Sequence, residues 1–426
     1  MGRIVTRLRK LFNRLGPGFI TGAADDDPSG VATYSIAGAQ YGYKLNWLSL
    51  FLIPLMISIQ EMCGRIGMCS GMGLAGVIKK YYSRNLLVFS IILLMVANTI
   101  NIAADLGVMA ASLEMIAGVN FFFWLAVITA ISIILEIIVP YRIYSVYLRF
   151  MGLSLLVYAV TAIAVKQNWL EVAKYTFIPH IDFTLPYFMT LVGFIGTTIS
   201  PYLFFWQASE EVEQEITEGE IRDFRAKPHI GKKDIVRMRG DTDLGMVFSN
   251  FITMCIVLTT AATLHVNGIT DISSPHQAAL ALKPIAGNFA FLLFTLGIIG
   301  IGLQSVPVFA GGIAYAFSEA FGFREGLGKT FGKAKAFYVI IGIATVIGAL
   351  INITGVNPIR ALYYAAVING VISVPLIFII IKMADDKRVV GSYITPKWHR
   401  VFGWITFIFV GLASVALILG LAGVGG

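Results

Sequence analysis

The sequence predicts an all-α polytopic membrane protein built as two inverted five-helix repeats, with helices 1 and 6 interrupted and an eleventh helix outside the repeat. Three observations carry this expectation. Of 426 residues, 57% are hydrophobic and 13% charged, whereas an ordinary globular domain is about 25% charged. Eleven apolar runs are long enough to cross a hydrocarbon layer of about 30 Å, which takes about 20 helical residues. The first and sixth of these runs contain helix breakers, Asp27-Pro28-Ser29-Gly30 and Thr198-Ile199-Ser200-Pro201. Backbone opened at membrane depth exposes donors and acceptors that lipid cannot satisfy, so it survives only where it lines a protected cavity. Breaks at matching places in two halves are the sequence pointer to a midplane site between inverted repeats.

The elements follow in order. Residues 1–16 form a basic cytoplasmic N-terminus with Arg3, Arg7, Arg9, Lys10 and Arg14. It runs into the interrupted first span rather than into a short apolar core with a cleavage site, so no cleavable signal is expected. Spans near 17–40, 45–64, 86–113, 121–139 and 145–165 make the first repeat, 17–165, and an extracellular loop follows at 166–185. Spans near 186–209, 243–264, 285–317, 336–354 and 358–381 make the second repeat, 186–382, which includes a cytoplasmic loop at 210–242. A cytoplasmic loop at 383–400 leads to span eleven near 401–423, within a final segment 401–426. No pairwise sequence repeat is visible, and the paired breaks are its only trace.

The formal net charge of +8 does not indicate nucleic acid once the charges are placed along the chain. With the N-terminus inside, 27 of the 32 Lys and Arg residues fall in cytoplasmic segments, including Arg65, Lys79, Lys80, Arg84, Arg142, Arg149 and seven between Arg222 and Arg239. The outside keeps Lys44, Lys166, Lys174, Lys283 and Arg360. The positive-inside rule therefore orients the chain with its N-terminus cytoplasmic and C-terminus extracellular, in the plasma (inner) membrane. The expected partners are a cation, called for by the carboxylate at the first break, and the lipid bilayer, with neither nucleic acid nor an obligate protein partner. No cofactor and no enzymatic activity are expected.

Other polar residues have plain expectations. Cys63, Cys69 and Cys255 read as free thiols. Glu61 and Arg65, four apart, suit a helix-surface ion pair. Glu114 and Glu136 lie near span ends where solvation is easy, and Glu210 and Glu211 read as exposed helix charge within the mixed-sign segment 210–242. Phe204, Phe205 and Trp206 read as packing residues.

Around the breaks stand Gly16-Pro17-Gly18-Phe19, Asp27-Pro28, Ala32-Thr33 and Ala37-Gly38-Ala39-Gln40-Tyr41-Gly42-Tyr43, with Gln60-Glu61-Met62, Ala97-Asn98, Ala104-Asp105-Leu106 and Gln304-Ser305 further on. Together these resemble the Nramp family of divalent-metal transporters, whose first span carries an Asp-Pro-Gly-Asn motif. The likeness covers most of the chain and implies a LeuT-like fold of eleven or twelve helices. Two departures stand out. Ser29-Gly30 replaces Gly-Asn, and Ser200-Pro201-Tyr202 replaces Met-Pro-His in span six. The family's methionine is a soft thioether ligand, suited to transition metals and not to hard cations. Without it, Asp27, hydroxyls and carbonyls make an all-oxygen environment that fits magnesium or manganese. Gly30 and Ser200 also leave room for water, and magnesium dehydrates reluctantly, so a partly hydrated ion is expected. The pattern is most similar to the Nramp-related magnesium transporters, which implies a divalent metal ion, Mg2+ or Mn2+, as the transported substrate.

By register with the family motifs, Ala24 and Thr197 would expose freed carbonyls beside the ion, with Asp27 as ligand, Gly30 as space, and Ser200 and Tyr202 completing the candidate set. Hydroxyls at Thr197, Thr198 and Ser200 have the alternative of bonding back to their own helix. Asn369 is a further polar candidate, with the alternative of bonding a neighbouring helix. Asp25 and Asp26 cannot both converge with Asp27 on one ion in regular helix; Asp25 is expected to make a structural hydrogen bond and Asp26 to line the approach. Proton-coupled relatives carry a second histidine in span six and a Glu in span three, where this chain has Gln207 and Val108. His180, His229, His265, His276 and His399 all fall in loops or at span ends, and Asp105 is a lone acid, so uncoupled uptake is expected. The competing readings are a proton-coupled Mn2+/Fe2+ symporter, a sodium-coupled organic-solute symporter of the same fold, and a non-transporting sensor.

Overall fold

The structure is a computed structural model that describes residues 16–139, 155–226 and 228–423. Arg3, Arg7, Arg9, Lys10, Arg14, Arg142, Arg149 and Lys227, with the first part of span five, lie outside the described residues. The described residues contain helices and no strand.

Span one is two half-helices, Pro17–Asp25 and Pro28–Tyr41. The break follows from local chemistry. A proline disfavours helical backbone in the residue before it, and Asp27 is accordingly extended at φ −69°, ψ 173°. Pro28 then sits in the first turn of the second half, where its missing N–H costs nothing. Span six repeats the device: Leu185–Thr198 ends, Ser200 is extended at φ −96°, ψ 139°, and Pro201–Glu218 begins on its proline.

The remaining spans are Trp47–Ser70 (two), Arg84–Ala117 (three), Phe121–Ile138 (four), Lys232–Thr263 (seven), Ala290–Phe321 (eight), Lys335–Ile351 (nine), Pro358–Ala384 (ten) and Lys397–Leu421 (eleven), with Leu156–Ala164 the described part of span five. Nine described stretches are long and apolar enough to cross a membrane. The two expected spans missing from that set are the first, halved by its break, and the fifth, which runs outside the described residues. Span seven packs along both halves of span one, and span two packs along the second half of span six. Exchanging one with six and two with seven maps either contact onto the other, as inverted repeats require.

The first half-helix is locked to span seven by close backbone approach. A Cβ at Gly18 would lie 2.6 Å from the Thr242 backbone, so only glycine fits there. Asp241 of span seven accepts from the backbone N–H of Gly16 at 2.9 Å and of Phe19 at 3.1 Å, capping the half-helix in trans. Losing a cap costs about 1 kcal/mol, so Asp241→Ala is expected to raise amide exchange over 17–25 several-fold while spans eight and ten keep their protection.

Several charged residues depart from expectation. Glu61 and Arg65 do pair, but with side chains 0% and 3% exposed rather than on a helix surface. Arg65 also donates to the Tyr393 carbonyl at 3.0 Å, and Arg239 donates to Glu61 at 3.4 Å. Glu136 is buried with no hydrogen-bond partner on either oxygen, not solvated at a span end. Glu210, Glu211 and Glu215 are buried too. The segment 210–242 is helical to Glu218 and again from Lys232, so these charges ride on helices that pack against neighbours before reaching solvent.

At the same end of the bundle, burial and the neighbouring Glu319 push the Glu325 carboxyl up to about 9, against the opposing pull of Arg225 at 3.4 Å. A carboxyl raised in the fold contributes stability that is full below its unfolded value and lost as pH climbs through the raised one. The thermal midpoint is therefore expected to fall between pH 6 and about 9 in a melting series, and Glu325→Gln is expected to flatten that slope.

Candidate metal site at the two interrupted helices

The two breaks face each other. Asp27 is buried, and one carboxylate oxygen accepts the Gly30 N–H at 2.6 Å while the other accepts the Ser29 hydroxyl at 3.2 Å. It therefore caps the second half of span one with the same group expected to hold metal. The Ser29 hydroxyl lies 3.5 Å from that of Thr197 in span six.

Gly30 marks the centre of the arrangement. Beyond its chain neighbours and the backbone of its own helix, the atoms nearest to the point where a Gly30 Cβ would stand are the Thr197 hydroxyl oxygen at 3.2 Å, the Asp25 carbonyl oxygen at 3.3 Å and an Asp27 carboxylate oxygen at 3.3 Å. All three are oxygens, drawn from both broken helices. The first half of span one ends here, and the C-terminal end of a helix carries partial negative charge that favours a cation. Among the described residues no three His, Cys, Asp or Glu side chains are placed to share a metal. What the two broken helices bring to Gly30 is one carboxylate, one hydroxyl and one carbonyl oxygen.

The structure brings Asp27, Gly30 and Thr197 together, but Thr197 comes by its hydroxyl, because the carbonyl expected there accepts from Ser200. The carbonyl at this point belongs to Asp25, one residue beyond Ala24, because the half-helix runs to Asp25 before it opens. The Ser200 hydroxyl turns back on its own helix, donating to the carbonyls of Gly196 at 2.6 Å and Thr197 at 2.8 Å. Thr198 likewise donates to Phe194 at 2.8 Å and lies 2.9 Å from the Tyr34 hydroxyl. Tyr202 is buried and packs edge-on against Phe309, with ring centroids 4.5 Å apart, while its hydroxyl makes no hydrogen bond and lies within electrostatic reach of Asp27. Asn369 exchanges hydrogen bonds with Asn101 of span three at 3.1 and 3.2 Å, the neighbouring-helix alternative. Asp105 accepts from the Ser305 hydroxyl of span eight. Asp25 accepts from the Ser249 hydroxyl of span seven at 2.6 Å. Sequence reasoning missed the Asp25 carbonyl and Ser249; Ser29 was visible in the motif but had no role assigned.

The profile of the Nramp family, described as natural resistance-associated macrophage protein-like, matches residues 18–420. The chain belongs to the Nramp family. As an Nramp protein it is an integral membrane transporter of divalent metal and not an enzyme. Solved structures agree on the fold. The Eremococcus coleocola manganese transporter, crystallised with an aromatic bis-isothiourea substituted compound, superposes with a TM-score of 0.76 at 17% identity over 98% of this chain and 89% of that one. MhsT in complex with L-phenylalanine gives 0.60 at 11% identity, covering 96% of this chain and 98% of that one. MHP1, a nucleobase-cation-symport-1 family transporter, gives 0.56 at 11% identity, covering 96% and 93%. The likeness to these transporters establishes the LeuT-like fold of this Nramp chain.

Proposed function

We propose that this Nramp protein carries magnesium into the cell, accepts manganese, moves the ion with part of its hydration shell, and does so without a coupled proton. The supporting observation is the group of oxygens that other segments bring to Gly30, the Thr197 hydroxyl, the Asp25 carbonyl and the Asp27 carboxylate, all within 3.3 Å of where its Cβ would stand. Oxygen donors and retained water suit a small hard dication, and Ser200 stands where a thioether would favour softer metals. Magnesium held by Asp27, Thr197 and the Asp25 carbonyl would complete its octahedron with water.

Inward movement needs no second ion. A dication crossing 100 mV, inside negative, gains roughly 4.6 kcal/mol, which supports more than about a thousandfold accumulation. The inside-facing N-terminus and outside-facing C-terminus belong to this proposal and rest on the charge bias of the loops. A second reading, proton-coupled manganese uptake, draws on Asp105, which lies within electrostatic reach of Asp27. Uptake measured from pH 6 to pH 8 separates the two. The uncoupled carrier gains nothing from acidifying the outside, whereas a coupled one accelerates.

Selectivity has its own test. Ser200→Met is expected to lower magnesium uptake and raise inhibition by cadmium about tenfold, a change of about 1.4 kcal/mol. Equal cadmium inhibition of the variant and the parent would remove Ser200 from the selectivity argument.

A further inference from the structure

Behind the Asp27 turn lies a second group of oxygens that the metal site does not use. Asp25 and Asp26 are 0% and 1% exposed at the C-terminal end of the first half-helix, and both face Ser249 of span seven, whose hydroxyl lies 2.6 Å from one and 3.4 Å from the other. Each carboxylate keeps one oxygen with no hydrogen-bond partner. Thr253, one turn along the same face of span seven, is fully buried, lies within electrostatic reach of Asp26, and its hydroxyl closes no hydrogen bond. Among the described residues no lysine, arginine or histidine hydrogen-bonds or ion-pairs with either carboxylate.

Two buried carboxylates, side by side and with no cationic partner, carry a heavy desolvation cost unless a cation joins them. The negative end of the half-helix dipole adds to the same demand. A dication bound by Asp27 has one positive charge to spare against these two carboxylates, so one further positive charge, a proton or a metal ion, balances the group. That count, though not the geometry, rests on the dication reading of Asp27.

We propose that Asp25, Asp26, Ser249 and Thr253 form a second cation site between the first half-helix and span seven, taking a small monovalent metal ion, sodium. Carboxylate and hydroxyl oxygens suit such a hard ion, and half-helix C-terminal ends are where transporters of this architecture hold coupling ions. The site also sits on the contact that locks the first half-helix to span seven, so its occupancy bears on whether that half-helix can swing away.

The test is equilibrium binding of radiolabelled Na+ to the purified full-length protein, with choline holding ionic strength constant and Mg2+ binding measured on the same samples. Saturable binding near one ion per chain is expected, at least tenfold weaker in Asp25→Asn, Asp26→Asn and Ser249→Ala and retained in Asp27→Ala. No saturable sodium binding, binding unchanged in all three variants, or loss confined to Asp27→Ala would overturn the proposal. If the aspartate variants do not fold, Ser249→Ala decides. Sodium binding without any magnesium binding would instead count against the proposed function and leave the second site standing.

Discussion

Asp27→Ala is expected to abolish divalent-metal uptake, leaving on the order of one-hundredth of the parent rate or less, since unpairing a buried charge costs about 3–5 kcal/mol. The carboxylate is the only acid among the three oxygens brought to the Gly30 space, so its removal leaves a hydroxyl and a carbonyl that cannot balance a dication. Asp27 also caps the second half of span one through the Gly30 N–H at 2.6 Å, and a lost cap alone costs about 1 kcal/mol. Asp27→Asn separates the two roles. Asparagine caps as well as aspartate but carries no charge, so this variant should fold and melt like the parent and still fail to bind magnesium by calorimetry. Parent-like binding in Asp27→Asn would mean that the carboxylate serves the helix and not the ion.

Gly30→Ala tests the space for the ion in a protein that keeps its helix cap. Alanine in place of glycine within a helix gains up to about 1 kcal/mol, the backbone N–H that Asp27 accepts is kept, and the contacts a Cβ would make, at 3.2 and 3.3 Å, ask for only small shifts. The methyl group would nevertheless stand amid the oxygens, where the ion or its water belongs. Displacing an ordered water with a group that cannot reproduce its hydrogen bonds loses affinity. Magnesium uptake is expected to fall about tenfold or more, equivalent to at least about 1.4 kcal/mol, in a protein that still folds and melts cooperatively. Rapid uptake by a well-folded Gly30→Ala protein would show that the ion binds elsewhere.

The parts of this structure that the sequence made legible are those with local causes. Pro28 and Pro201 each force the preceding residue out of helical backbone, so both breaks could be placed without any knowledge of the fold. The hydroxyls of Ser200 and Thr198 likewise bond within their own helix, an option readable from residue type. Contacts fixed by tertiary packing were not legible. The Ser249 bond to Asp25 joins residues 224 apart in sequence, and nothing in the pattern around Ser249 distinguishes it from other small polar residues of span seven. Glu61, Glu136, Glu210 and Glu211 read as solvated because sequence shows the charge and not the neighbouring helix that covers it. The step from the Ala24 to the Asp25 carbonyl has a different origin. Which carbonyl is freed depends on the last hydrogen-bonded residue of the half-helix, and a helix end is seldom fixed by sequence to within one residue.

The most direct measurement is magnesium uptake into proteoliposomes under an imposed inside-negative potential, with an internal dye reporting pH. Uptake that scales with the potential, disappears in Asp27→Asn, and proceeds with no change in internal pH is the expected result. Acidification in step with magnesium entry, or transport of manganese with magnesium excluded, would contradict the account of an oxygen-lined, uncoupled magnesium site at the broken helices.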